Sequence, residues 1–446
     1  MFKLAPSVKI AINLLNSNGY EVYIVGGSVR DLLLEKNPKD WDLTTNALPI
    51  EMKKVFADFS VYETGISFGT LMVGINGDFL EITTYRIDGT YENHRKPKNV
   101  TFTPNLIEDL ARRDFTINAM AYHPKLGLQD PFNGKEALEH KQIIAVGNPS
   151  LRFKEDALRI LRAMRFAATL NFKIEKTTAI AMKDNAKWLL DIAKERILVE
   201  LKKMLCAKAI VPVLRANCHV LFTLFPVLAP MEGFEQHHPY HCFDVWEHTL
   251  HVLKNTPPIL TIRFAALLHD SGKPTAFTMD ENGISHFRGH PTISEEIARK
   301  ILIEIKLDKK TSERVLFLVK HHDIPLKEDI IFIKRKLHDF GVEAFRELLL
   351  LMRADNSGKN PNKMKPQSYF DNLENIVTNI VNSNSCYSLK NLSINGNDLI
   401  KLGLHGKKVG KYLNLVLEKV IEDELPNNKE ALLLWLKEFM HTEDTL

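Results

Sequence analysis

Short strand-like and helical runs alternate only as far as about residue 150, and beyond that point strand signals nearly vanish for two thirds of the chain. In the first part EVYIVGG, WDLTT, FGTLMVGI and FLEITTYR are rich in β-branched and aromatic residues and read as strands. SVRDLLLE and ALPIEMKKVF read as helices. Such alternation points to a small mixed sheet flanked by helices. Later segments, among them KEDALRILRAMRFAATL, VWEHTLHVLK, ISEEIARKILIEI and AFRELLLLMRA, repeat apolar residues at i, i+3 and i+4. The fold class expected is α+β, a sheet-bearing head followed by an extended all-α remainder.

A length of 446 residues allows two to four domains at roughly 150 residues each. Breakers at Pro230, HHPYH (237–241), GKNPNKMKP (358–366) and Pro426 mark boundaries. They suggest a head over 1–145, a helical neck over 146–236, a histidine-rich helical domain over 237–360 and a helical tail over 361–446. No stretch approaches the ~18–20 uncharged apolar residues of a membrane span, and MFKLAPSVKIAINLLNSNGY lacks a signal-peptide core with a cleavage site. A cytoplasmic protein without a membrane partner is expected. Cys206, Cys218, Cys242 and Cys386 form no CxxC pair, which suits reduced core thiols. The net charge of +4 sets 59 basic against 55 acidic residues, so any nucleic-acid surface has to be local.

The stretch GGSVRDLLLEKNPKDWDLTT (26–45) carries the first chemistry. Side chains alternate along a strand, so Asp40 and Asp42 are expected on one side and Trp41 in the core. Two neighbouring carboxylates repel unless cations sit between them, which suits divalent metal. Glu81, the charge in FLEITTYR, is a candidate third member on a neighbouring strand. Oxygen ligands with open positions favour Mg²⁺ shared with substrate phosphates, and two such ions stabilise the attacking and leaving oxygens of a phosphoryl displacement. Gly26 and Gly27, between a strand and a helix capped by Ser28, would expose backbone N–H groups to a polyphosphate. Arg30 would add a charge-assisted bond.

These residues resemble the signature of the class II tRNA nucleotidyltransferase and bacterial poly(A) polymerase family, within the polymerase β-like nucleotidyltransferases. DGTYENHRKPKNVTF (88–102) resembles the family's flexible loop, LARRDFTINAMAY (110–122) its second motif, and DPFNGKEAL (130–138) its third. RFKEDALRILRAMRF (152–166) resembles its nucleotide-selecting motif and ERILVEL (195–201) its fifth. The resemblance covers at least residues 20–205, with the motifs in the family's order. It implies a polymerase β-like head, nucleotide addition to an RNA 3′ end, and contact of Arg113 with the nucleotide.

On a helix, the i, i+3 spacing of Asp156 and Arg159 puts both on one face. An aspartate accepts from an exocyclic amino group and an arginine donates to the ring nitrogen or carbonyl beside it. Cytosine and adenine share that pattern, whereas uracil and guanine present the reverse. A wrong base would leave buried charges unpaired at a cost of about a few kcal/mol, and in the family the matching pair is used this way. Arg162 and Arg165 continue at steps of three, a stripe suited to triphosphate or RNA phosphates. The RNA 3′-hydroxyl would attack the α-phosphate and pyrophosphate would leave; no separate protein base is identified. GISFGTLMV (65–73) and the complete DGTYENHRKP loop favour CCA addition from CTP and ATP to tRNA. A-only addition and poly(A) synthesis are the alternatives.

Ten of the 17 histidines fall within residues 237–323. The order His…His-Asp…His…His…Asp, with HDSGKP at its centre, resembles HD-domain metal phosphohydrolases. That resemblance implies that His248, His269, Asp270 and Asp355 bind one divalent metal, with His290 and His321 completing or bridging a second, and hydrolysis of 2′,3′-cyclic or terminal phosphates. The alternatives are a degenerate HD fold kept as RNA-binding scaffold, and an HD hydrolase for which the head is a nucleotide sensor. LSINGNDLIKLGLHGKKVGKYLNLVLEKV (392–420) reads as glycine-broken, lysine-bearing helices, either a grip on the tRNA elbow or a simple helical tail.

Overall fold

The computed structural model describes residues 2–89, 91–92, 96–97 and 99–443. The chain divides into two compact units, Met1–Ala229 with Ile303–Leu307, and Pro230–Leu302 with Asp308–Leu446. The expected head falls in the first and the expected tail in the second, whereas the expected neck (146–236) crosses the division at Pro230 and Ile303–Leu307 of the expected histidine-rich domain belong to the first. Residues 90, 93–95 and 98 of the loop resembling the family's flexible loop lie outside the described residues.

The first unit is built on a seven-stranded sheet. Its strands are β1 (Val22–Val25), β2 (Trp41–Thr45), β3 (Ser60–Gly65), β4 (Thr70–Ile75), β5 (Asp78–Thr84), β6 (Ala121–His123) and β7 (Gly127–Gln129), in the order β7-β6-β1-β2-β5-β4-β3. Only β2 and β5 run parallel, pairing Asp42 with Glu81 in register; the other neighbours are antiparallel. The pleat sorts β5 by face: Leu80, Ile82 and Thr84 are buried while Glu81 is exposed. Helices α1 (Pro6–Ser17) and α3 (Pro49–Val55), which flank α2 (Gly27–Leu33), add Val8, Ala11, Ile12, Leu15 and Met52 to the core. Apolar burial thus holds one side of the sheet and leaves carboxylates to the other. Trp41 is half-buried rather than a core residue.

Beyond α4 (Leu106–Ala111) the unit turns helical. The EDALR stretch is not one helix. Helix α5 (Pro149–Glu155) ends and α6 (Leu158–Leu170) begins around Asp156, whose backbone is extended at φ −135° and ψ 102°. The Asp156 carboxylate accepts from Leu158 N at 3.1 Å, a local bond that competes with helix continuation. Helix α6 packs on α7 (Lys194–Leu205), and Ile160 and Met164 of the one and Ile197 and Leu201 of the other are buried.

In the second unit α8 (Val245–Asn255), α9 (Leu260–Leu268), α10 (His290–Glu304), α11 (Lys309–His321) and α12 (Val342–Ser357) surround the histidine region. Further along, α13 (Gly396–Lys401), α14 (Lys407–Ile421) and α15 (Lys429–Glu443) enclose their own core of Leu399, Val416, Leu432 and Leu436. Among the described residues, no helix is long and apolar enough to cross a membrane.

Candidate functional sites

Strand β1 ends at Val25, and Gly26 turns the chain at φ +66° into α2. A side chain there would be strained, and its Cβ would lie 2.8 Å from Arg113 Nη1 and 3.9 Å from Asp42 Oδ2. The expected cap, Ser28, has another task. Its hydroxyl donates to Asp40 O at 2.9 Å and accepts from Asp42 N at 3.1 Å, fixing the entry of β2 against α2.

One cleft of about 590 Å³ is lined by Gly26, Gly27, Arg30, Asp40, Asp42, Arg113, Asp156, Arg159, Arg162 and Arg165. The acidic pair and the Asp156/Arg159 pair therefore face the same space. Glu81 stands beside Asp42 in register but lines a separate cavity of about 310 Å³ with Phe68 and Arg86. The Asp42 carboxyl is pushed up to about 6 by burial and by the charges of Glu81 and Asp40, against the opposing pull of Arg113 and Arg30. A buried carboxyl raised by acidic neighbours in this way would be relieved by a cation beside it.

The arginines are individually tied. Arg30 donates to Asn118 Oδ1 at 2.8 Å and pairs with Asp31 at 2.8 Å. Arg162 Nε reaches Asp114 at 2.8 Å, and Arg165 pairs with Glu200. Their three guanidiniums gather around one ring, that of Phe166, with centroid distances of 5.3, 5.4 and 3.9 Å for Arg30, Arg162 and Arg165. Buried Asp114 would titrate high on desolvation alone, but Arg162 and Asn118 hold it down to about 2. Arg113 lies 3.4 Å from buried Asp109, which also receives Arg112 at 2.9 Å. Arg159 donates to Glu155 at 2.7 Å and to Arg112 O at 2.8 Å. Asp156 accepts from Arg196 at 2.8 Å. Sequence reasoning missed Asn118, Asp114, Arg196 and Lys203 as members of this cleft, although a charged or amide side chain in a stretch as apolar as DFTINAMA is a usable signal.

The second unit gathers His248, His269, Asp270 and Asp355, and next to them Asp270, His290 and His322; within each set the ligand atoms lie within 4.8 Å of one another. Every imidazole has its Nδ1 against a backbone carbonyl: His248 at Gly358 O (3.1 Å), His269 at Ala266 O (2.9 Å), His290 at Phe287 O (2.8 Å) and His322 at Val319 O (2.7 Å). An Nδ1–H donated to a carbonyl turns the Nε2 lone pair inward, the arrangement found behind metal-bound histidine. The Nε2 atoms then face each other, His248 to His269 at 3.4 Å and His290 to His322 at 3.1 Å. Asp270 Oδ2 is buried with no aligned hydrogen-bond donor, although Lys273 Nζ lies at 2.7 Å. Converging lone pairs and a poorly satisfied carboxylate fit divalent cations. Burial would raise Asp270 and Asp355, yet His269 and Lys273, and in the second case Lys359, hold both well below the usual carboxylate range. Burial lowers the His269 imidazole, but Asp270 and Asp355 carry it up to about 9.

His321 is not part of this cluster. Its ring packs 4.8 Å from Phe317 and 4.8 Å from Phe340. Adjacent helical residues point about 100° apart, so of His321 and His322 only one turns to the cluster. That one is His322.

Three family models match: the Poly A polymerase head domain over residues 22–144, the RNA and SrmB-binding site of polymerase A over 171–231, and tRNA nucleotidyltransferase domain 2 over 276–436. A CCA-adding enzyme of Listeria monocytogenes serotype 4b (strain CLIP80459) is 48% identical over 195 residues, 44% of this chain and 49% of that protein. The chain thus spans about half the length of the relatives it matches at that identity. The CCA-adding enzyme of Listeria monocytogenes serovar 1/2a (strain ATCC BAA-679 / EGD-e) is 34% identical over 429 residues, 95% of both chains. The chain belongs to the CCA-adding enzyme family. The Bacillus stearothermophilus CCA-adding enzyme, solved in complex with CTP, has the same fold at a TM-score of 0.74 and 27% identity, covering 99% of this chain and 100% of that one. The family is one of nucleotidyltransferases, and membership implies use of divalent metal. The cleft and its acidic pair lie within or beside the head-domain match, and the histidine cluster straddles the start of the domain 2 match.

Proposed function

We propose that the chain adds CCA to tRNA 3′ ends from CTP and ATP, in the cytoplasm, with Mg²⁺ at Asp40 and Asp42 and Glu81 beside them. The observation that carries this reading is the shared cleft: acidic pair and base-reading pair line one space. Bound magnesium would neutralise phosphate charge and hold the reacting oxygens in place. The backbone at Gly26 and Gly27 admits the triphosphate closely, and Arg30, Arg113, Arg162 and Arg165 offset its charge. The 3′-hydroxyl oxygen forms a bond to the α-phosphorus, the bond to the bridging oxygen breaks, and pyrophosphate leaves. Asp156 already accepts two bonds, from Arg196 and from Leu158 N. An ionised carboxylate has about four lone-pair positions, which leaves capacity for an amino group of cytosine or adenine. The four cysteines are free thiols, in keeping with a reducing compartment. In domain terms, 1–145 is the head, 146–236 the selecting neck and 361–446 a tRNA-contacting tail. The test supplies a tRNA transcript ending before CCA with labelled CTP, ATP, UTP or GTP, singly and together. Incorporation of C then A is expected; A alone would point to A-only addition, and no incorporation would end the proposal.

A second reading rests on the histidine cluster. Residues 237–360 form an HD-type phosphohydrolase site in which His248, His269, Asp270 and Asp355, with His290 and His322, would hold divalent metal. The metal would supply an activated water and charge neutralisation there. Metal-dependent hydrolysis of phosphoesters, lost in His269→Ala while nucleotide addition persists, is the expected result.

A further inference from the structure

The sheet face that carries the acidic pair continues past it to the sheet edge. Pairing in register runs from Asp42 to Glu81, from Glu81 to Met72 and from Met72 to Tyr62, across β2, β5, β4 and the edge strand β3. Directly paired residues share a face, so these side chains stand in one row, about 14 Å long at the usual spacing of strands. Two residues back along β5, Phe79 lies on the same face opposite Gly74. A Cβ at Gly74 would meet the Phe79 ring at 3.5 Å, so the ring covers the glycine with one side and turns the other outward. Tyr62 and Phe79 are 47% and 59% exposed, and their rings brace each other at 5.9 Å. Single exposed apolar residues are ordinary, whereas two aromatics in contact beside a reactive centre form a patch.

Along the same face lies the cavity of about 310 Å³ that Glu81 lines with Phe68, Met72 and Arg86, near the lower size limit of small-molecule pockets. Its far wall is a bulge. Between Tyr62 and Gly65 strand β3 has one residue more than β4, and Thr64 and Gly65 of that shift border the cavity. Arg86 donates to the Phe68 carbonyl, pairs with Asp88 at 3.3 Å and stands 5.5 Å from the centre of the Phe68 ring. Charge separates this space from the transfer cleft. The described residues lining the cleft include eight cationic side chains, whereas those lining the cavity include only Arg86, set against Glu81. A triphosphate belongs in the first, and a base and ribose with a single phosphate suit the second.

In an in-line displacement the attacking and leaving oxygens lie on opposite sides of the phosphorus. With pyrophosphate leaving on the arginine side of Asp42, the 3′-hydroxyl arrives from the Glu81 side. We propose that this face receives the last bases of the RNA strand being extended, the terminal base against Phe68 and Met72 and the one before it on Tyr62 and Phe79. Aromatic and thioether surfaces hold any base without reading its edge. A strand end whose terminal base changes with each addition requires that tolerance. The proposal deepens the reading of the cleft as the site of CCA addition, on which it rests for the direction of attack.

The test uses the full chain, ATP and a tRNA transcript ending in CC, whose last two bases are unpaired. Replacing both exposed rings, Tyr62→Ser with Phe79→Ser, should lower kcat/KM for the transcript about tenfold, the scale of one stacked base. KM for ATP should stay within about twofold, which also shows that the variant is folded. A transcript with an abasic penultimate nucleotide should lose about the same factor with the unaltered chain and nothing more with the variant. Met72→Ala should behave likewise toward an abasic terminal nucleotide, at about threefold. Equal losses with intact and abasic RNA, or a matching rise in KM for ATP, would overturn the proposal. If addition is normal and no substitution changes kcat/KM for the transcript, the platform falls and the reading of the cleft stands. If the unaltered chain adds nothing, that reading falls, and binding of a ten-nucleotide single-stranded RNA decides the platform: it stands if the double variant weakens binding and falls if it does not. A dimer of the unaltered chain that dissociates in the double variant, with RNA use unchanged, would assign the face to a second copy instead.

Discussion

The transfer cleft and the histidine cluster are both dense in charge, yet they are built for opposite guests. Among the described residues lining the cleft, eight cationic side chains, Arg30, Arg112, Arg113, Arg159, Arg162, Arg165, Arg196 and Lys203, stand against Asp40, Asp42, Asp114 and Asp156. The cluster turns four imidazole lone pairs and two carboxylates inward. In the cleft most arginines are paired with carboxylates or amides, of which Asp114 and Asp156 line the cleft themselves, and the excess of cations leaves the surface suited to a polyanion. In the cluster the imidazoles are held from behind by backbone carbonyls, so each Nε2 is left to take up a proton or a cation on the inner side. A site for phosphates stores its cations in the protein; a site for metal stores vacant electron pairs.

The sharpest way to break this comparison is to disable each site separately. Asp42→Asn should lower CCA addition about a thousandfold, since roughly 4 kcal/mol of charge stabilisation corresponds to three decades of rate. Phosphoester hydrolysis by the same variant should be unchanged. His269→Ala should give the reverse pattern. Loss of both activities in either variant would mean that the two regions do not act as independent centres.

A smaller effect sharpens the assignment within the cluster. His322→Ala should weaken binding of a divalent probe such as Mn²⁺ by about 10- to 100-fold, the usual scale for losing support at a metal site. His321→Ala, altering a ring packed on Phe317 and Phe340, should change it by less than about twofold. Calorimetric titration distinguishes these, and equal losses would restore His321 as a ligand.

The strands that bear Asp42 and Glu81 were legible because period-two alternation is a local property, and Arg162 and Arg165 because three-residue spacing on a helix is local too. The pairing of Asp42 with Glu81 was open until β2 and β5 were seen in parallel register. Four features resisted reading for physical reasons. Asp156 breaks its helix through a side-chain bond to Leu158 N, a competition that propensity does not resolve. His321 and His322 are alike in sequence and differ only in helical phase. Strand β6 enters the sheet beside β1 from about a hundred residues away, so its pairing is a matter of topology rather than pattern. Ser28 was read as a cap because serine favours that position, whereas here tertiary contact with β2 determines its bonds.

The gathering of three guanidiniums around Phe166 gives a several-fold prediction. A cation–π contact contributes about 0.5–1 kcal/mol at such sites, so Phe166→Leu should raise KM for CTP and ATP together by about three- to tenfold. Preference for C and A over U and G should not change, because Asp156 and Arg159 are untouched. Phe166→Tyr, which keeps the ring face, should restore most of the affinity. A change in base preference instead of KM would show that the ring supports the reading pair rather than the phosphate side.

The smallest expected effect is in pH. Burial, Glu81 and Asp40 push the Asp42 carboxyl up to about 6. If its ionised form holds the cation as proposed, lowering the pH from 8 to 6 protonates about half the population and should weaken Mg²⁺ binding about twofold, with about a tenfold loss for each further unit. Because the folded value lies above the unfolded one, the folded chain binds more protons between about pH 4 and 6, and this group's contribution to stability falls as pH rises through that window. Asp109 and Asp114, held low by their arginines, give the opposite slope below about pH 4 and leave the window clear. Magnesium titration at the two pH values, in a His269→Ala chain so that the cluster contributes less, is the measurement. Affinity independent of pH, or a pH dependence that survives Asp42→Asn, would remove Asp42 as the titrating ligand and leave the cleft with its cations but without the acidic counterpart that distinguishes it from a general phosphate-binding surface.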